Sequence, residues 1–147
     1  MRINALLILI LVSALSASQS IADKCIDSPE RYACTLAGCQ GDTLPLGIIR
    51  GQLPDADSDG TPEALITFQT ACNSTECVYQ VFLSNKGCFT HAGQITGKSF
   101  SLLKTQHHGK LDIEGSSGEK GAYQAYQLLY EYDGKQYKLK SKQLVLF

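Results

Sequence analysis

Six cysteines, Cys25, Cys34, Cys39, Cys72, Cys77 and Cys88, constrain this 147-residue chain more than any other feature. An even number in a chain that opens on an export leader reads as three disulfides formed in an oxidising compartment. Many connectivities are possible, but parity narrows them. Three cysteines fall between positions 25 and 39 and three between 72 and 88, so at least one bridge must join the two groups. Cys72 and Cys77 flank Asn73-Ser74-Thr75-Glu76 between two strand-like runs. Facing positions at the mouth of a hairpin suit the short Cα separation of a disulfide. We therefore expect Cys72–Cys77, one bridge within the N-terminal group, and Cys88 joined to the third N-terminal cysteine. Spacing argues against zinc, since there is no C-x-x-C pair.

The leader is read from Met1-Arg2, the apolar run Ala5–Val12 and the small-residue site Ser20-Ile21-Ala22 before Asp23. That order of charge, apolar stretch and small residues is a signal peptide over 1–22. The run is far short of the roughly 20 residues a membrane span requires. Asp23-Lys24 stand before Cys25 where a lipoprotein signal carries small residues, so no lipid anchor is expected. The mature protein is expected to be periplasmic or secreted, with no membrane span. Thirteen Lys and Arg against fourteen Asp and Glu leave none of the basic excess that nucleic-acid binding needs.

Two regions follow the leader. Residues 23–45 form a cysteine-rich cap in which Ser28-Pro29-Glu30 starts a helix and Gly38 stops it, placing a short helix near 29–37. Residues 46–147 carry short β-branched and aromatic runs at 46–53, 64–71, 78–84, 88–95, 99–104, 123–132, 135–140 and 144–147. Turn signals separate them at Asn85-Lys86-Gly87, Ala92-Gly93, Thr96-Gly97, Gly115-Ser116-Ser117-Gly118 and Asp133-Gly134. The last pair, between Tyr132 and Lys135, matches a two-residue type I′ hairpin. The expected fold is one mostly β domain, an antiparallel β-sandwich or a partial-propeller-like sheet, with a short helical cap tied on by disulfides.

The sharpest motif is Asp55-Ala56-Asp57-Ser58-Asp59-Gly60-Thr61-Pro62-Glu63. Carboxylates at alternate positions followed by Gly put hard oxygen donors inside a tight turn. Asp55, Asp57 and Asp59, the carbonyl of Thr61 and the carboxylate of Glu63 form a candidate calcium set. The position at which an EF-hand loop carries its bidentate Glu is Ile66, and strands flank the loop where an EF-hand has helices. One structural calcium is the expected cofactor.

This loop, running into Ala64-Leu65-Ile66-Thr67-Phe68, resembles the calcium loops of FG-GAP (integrin-alpha-type) repeats, which join two strands of a β-propeller blade. The resemblance covers one loop and its two flanking strands. No second copy occurs, which excludes a full propeller. The wider pattern resembles a group of small exported bacterial proteins through the Cys72–Cys77 hairpin, Val81-Phe82-Leu83, Thr105-Gln106-His107-His108-Gly109 and the Tyr130–Tyr137 segment. Some calcium-binding members of that group resemble periplasmic inhibitors of invertebrate-type lysozyme and immunity proteins against secreted peptidoglycan hydrolases. The resemblance implies a non-enzymatic protein that inserts a Ser-Gly-x-Tyr-like loop into a hydrolase cleft. Here that loop has Ser117-Gly118, with the next tyrosine at Tyr123, so Ser117, Gly118 and Tyr123 are the first partner-binding candidates. His107 and His108, in the 107–112 segment, are the second. The alternative function is a structural or adhesion-type calcium module of the cell envelope. A third is a hydrolase with its acid–base pair in the His107 to Glu114 region.

Chemistry beyond this is thin. Paired cysteines leave no free thiol, and no Gly-x-Ser-x-Gly elbow occurs, so no catalytic residues are assigned. Adjacent histidines on a strand face opposite sides and do not easily share a metal. The C-terminal tyrosines Tyr126, Tyr130, Tyr132 and Tyr137 are expected to pack across a hairpin. Lys135, Lys138, Lys140 and Lys142 read as a solvated edge that blocks aggregation.

Overall fold

A computed structural model describes residues 25–41, 44, 46–119 and 121–147. The leader assigned to 1–22 lies outside these residues. Helix α1 spans Pro29–Leu36, where Pro29 is pre-set for the first turn and the Ser28 hydroxyl accepts the Arg31 N–H at 3.3 Å. It ends at Ala37, before Gly38 at φ +81°. Eight strands follow: β1 Ile48–Leu53, β2 Glu63–Phe68, β3 Cys77–Asn85, β4 Cys88–Gly97, β5 Ser99–His107, β6 Lys110–Ser117, β7 Gln124–Tyr132 and β8 Tyr137–Leu146. A 3₁₀ turn, Gln69–Ala71, follows β2.

The strands form one curled sheet in the order β1-β2-β3-β4-β8-β7-β6-β5. It consists of two four-stranded antiparallel meanders, β1–β4 and β5–β8, each continuous in sequence. They meet where β4 and β8 run parallel, paired only at Gly93↔Tyr137. Curling brings inward-facing side chains of both meanders into one core, with Leu53, Leu65, Val81, Leu83, Ala92 and Ile95 from the first. Ile113, Leu128, Tyr130 and Tyr137 come from the second. A smaller cluster of Ala64, Ile66, Phe82 and Ala33 lies on the outer face of the first meander, beneath α1. Because β2 is covered on both faces, Glu63–Thr67 are all buried, which accounts for a nearly unbroken apolar run where a one-sided strand would alternate. The disulfides are Cys25–Cys88, Cys34–Cys39 and Cys72–Cys77. The first, with the bridge pair Ile26↔Phe89, fastens the cap segment to β4.

Several local expectations are corrected. Residues 110–117 form a strand, β6, although Gly115-Ser116-Ser117-Gly118 was expected to turn. Gly115 and Gly97 serve packing there: a Cβ on either would lie 3.1 or 2.9 Å from the Phe100 ring. Ala92-Gly93 lies inside β4. The two C-terminal segments are a single strand, its polar middle tolerated because β8 is largely exposed there. Tyr132 pairs with Tyr137, leaving a four-residue loop in place of a two-residue hairpin. Asp133 Oδ1 accepts the N–H groups of Lys135 and Gln136, both at 2.9 Å, and so sets that loop. In strand order the lysine-rich strand sits between β4 and β7, but β4 meets it only at Tyr137, so Lys138, Lys140 and Lys142 remain exposed beyond that pair.

Candidate metal centre and partner-facing loops

The loop between β1 and β2 is built around Asp55. Its Oδ1 accepts the N–H groups of Asp57 and Asp59, each at 3.2 Å, and its Oδ2 accepts that of Gly60 at 2.7 Å. These donors, Gly60 foremost, hold the Asp55 carboxyl below its ordinary pKa. Gly60 at φ +90° supplies the turn that the sequence assigns to it. Carboxylate oxygens of Asp55, Asp57 and Glu63 come within 4.8 Å of one another. Three convergent hard oxygen donors fit a divalent cation. Asp59 stands outside this group, its Oδ1 accepting the Thr61 N–H at 2.8 Å and the Thr61 hydroxyl as well.

Glu63 opens β2 and is fully buried. Its Oε1 accepts the Ala56 N–H at 3.1 Å and its Oε2 accepts the Ser84 N–H at 2.7 Å. The side chain therefore ties the loop to β3. Burial pushes its carboxyl up to about 7, and the charges of Asp57 and Asp59 push the same way. Lys110, at the start of β6, places Nζ 2.7 Å from Asp57 Oδ2. The next residue, Leu111, donates its N–H to the Ala56 carbonyl at 2.8 Å. Lys110 escaped the sequence reading because it lies far along the chain from Asp57, and no local pattern marks a contact made only when β6 docks beside the loop.

The strand directions place the partner-facing candidates at opposite ends of the sheet. His107 and His108 share the end that carries the acidic loop. His107 Nδ1 lies 2.8 Å from Asp112 Oδ1 and Nε2 3.9 Å from Glu131 Oε2. The hydrogen bond to Asp112 raises the His107 pKa. His108 occupies the following turn at φ +49°. At the other end, Ser117 is buried as the last residue of β6, whereas Tyr123 is 84% exposed. Gly118 and Glu119, which follow Ser117, rest on the Cys72–Cys77 hairpin. Gly118 donates its N–H to the Thr75 carbonyl at 3.1 Å. Lys98 Nζ donates to the carbonyls of Ser74 at 3.2 Å and Gly118 at 3.3 Å.

Fold and site together define a disulfide-bridged, mostly β domain with, among the described residues, one acidic cluster able to take a metal ion. The chain matches no family model, no curated protein and no solved structure. Among the described residues no helix is long and apolar enough to cross a membrane.

Proposed function

We propose that this is an exported protein that works by binding another protein, a lysozyme-like peptidoglycan hydrolase, with the loop from Gly118 to Tyr123. The observation that carries this reading is an exposed tyrosine on a loop held from beneath by a disulfide-bridged hairpin. A projecting aromatic anchor whose own carbonyl is held by the Phe147 N–H at 2.9 Å loses little backbone freedom on binding, and tyrosine is enriched among residues that dominate interfaces. The likeness of the wider sequence pattern to hydrolase inhibitors supplies the partner class. Calcium, bound by Asp55, Asp57 and Glu63, has a bracing role here: it would draw the β1–β2 loop against β3 and β6.

The acidic loop docks at Lys110, where β6 starts, and Tyr123 follows the end of that eight-residue strand, a separation of about 25 Å at roughly 3.3 Å per residue. Calcium therefore acts on stability and not at the contact. The test is a titration of the mature protein against lysozymes of several classes, in calcium and in chelator, well below the melting temperature. Stoichiometric inhibition is expected in both conditions. Tyr123→Ala should weaken it at least tenfold while leaving the melting temperature unchanged. A wild-type protein that inhibits no class, or a Tyr123→Ala variant that inhibits equally well, overturns the reading.

A further inference from the structure

The joint between the two meanders is incomplete. β4 and β8 pair at Gly93↔Tyr137, and beyond that point β8 has a neighbour, β7, on one side alone. From Lys138 to Leu146 the other edge of a long strand has no ladder partner among the described residues. The corresponding edge of β4 is closed differently: the Tyr130 hydroxyl donates to the Thr96 carbonyl and accepts the Thr96 N–H, both at 2.9 Å. Between the strands lies a groove of about 450 Å³, floored by Tyr130 and Tyr137 and walled by Thr96, Lys138 and Lys142. It continues past Glu76 and Lys142 into a second hollow of about 290 Å³ that ends at Gly118.

An open edge on a ten-residue strand invites pairing with another chain unless something prevents it. β8 carries Lys138, Lys140 and Lys142 and no acidic residue. Pairing with a second copy of β8 would oppose lysine to lysine, so the charge that discourages self-association selects an acidic strand. Lys138 is already bound to Asp133 and Lys140 to Glu131. Lys142 has no carboxylate partner among the described residues; its Nζ lies 4.2 Å from the centroid of the Tyr126 ring, at the junction of the two hollows.

We propose that the free edge of β8 is a docking edge for an extended acidic segment of a partner protein, added as an antiparallel strand with a carboxylate on Lys142. Strand addition draws its affinity from main-chain hydrogen bonds and its selectivity from alternate side chains. This goes beyond the hydrolase reading and stands or falls separately from it, because it requires no inhibition.

The probes are two synthetic peptides, acetyl-(Val-Glu)₄-amide and acetyl-(Val-Lys)₄-amide, titrated into the isotope-labelled mature protein. Amide shifts and hydrogen exchange are read residue by residue. The acidic peptide is expected to bind saturably and to slow exchange at alternate amides between Lys138 and Leu146. The basic peptide should bind at least tenfold more weakly. Lys142→Glu should weaken the acidic peptide at least tenfold, and Lys142→Gln, which has the same length as Glu but no charge to repel the peptide, should weaken it less. Failure to protect β8 amides overturns the proposal. So does equal binding of the two peptides, or protection that appears without peptide as protein concentration rises, which would indicate self-pairing.

Discussion

Gly93 stands where the chain has least room. It holds φ +91°, and a Cβ there would lie 2.8 Å from Gln136 Cβ and 3.2 Å from the Tyr137 carbonyl oxygen. Only glycine satisfies both the backbone conformation and the approach of β4 to β8. Gly93→Ala should cost about 2–4 kcal/mol, from left-handed strain plus overpacking, measured by urea unfolding. Glu63 makes a second residue-scale prediction. In chelator its pKa is raised from 4.5 unfolded to about 7 folded, so the native state holds the proton more tightly. Its contribution to stability is complete below pH 4.5 and is lost as pH rises through 7. Glu63→Gln should remove this falling slope, whereas saturating calcium, which favours the carboxylate, should oppose it in the parent. A variant with the same pH dependence as the parent would contradict this account of Glu63.

At the scale of elements, the three disulfides should be unequal. Cys25–Cys88 closes a loop with a sequence separation of 63, whereas Cys34–Cys39 and Cys72–Cys77 each close one of 5. Chain-entropy arguments give the long loop about 4 kcal/mol and each short one about 2. The paired change Cys25→Ser/Cys88→Ser should therefore lower the urea midpoint more than Cys72→Ser/Cys77→Ser. The same elements show what a linear sequence discloses. The helix was legible because Ser28, Pro29 and Gly38 act through their own backbone neighbours. The run from Ala64 to Phe68 was legible as a strand for the opposite reason, since burial on both faces leaves a long apolar signature. β6 was hidden because its glycine and serines look like a turn until the Phe100 ring is seen lying against Gly115. In the acidic loop, Asp55 and Gly60 were readable from local spacing. The Glu63–Ser84 and Asp57–Lys110 contacts were not, because sheet registry alone brings those residues together.

For the whole molecule, the curled sheet keeps the acidic loop and the histidines at one end and Tyr123 at the other. Both meanders are contiguous stretches of chain whose strands pair with sequence neighbours, so each can assemble by closing short loops. The joint at Gly93 and Tyr137 has no such head start, because it links residues far apart in the chain through a single ladder pair. Its formation should follow the rate-limiting step of folding. In stopped-flow experiments Gly93→Ala should then accelerate unfolding by most of its equilibrium effect while leaving the refolding rate nearly unchanged. A refolding rate that slows in proportion would put the joint inside the transition state. If it forms late, the narrow contact that makes two meanders into one core also governs how long that core survives once folded, so the persistence of the native state rests largely on one glycine.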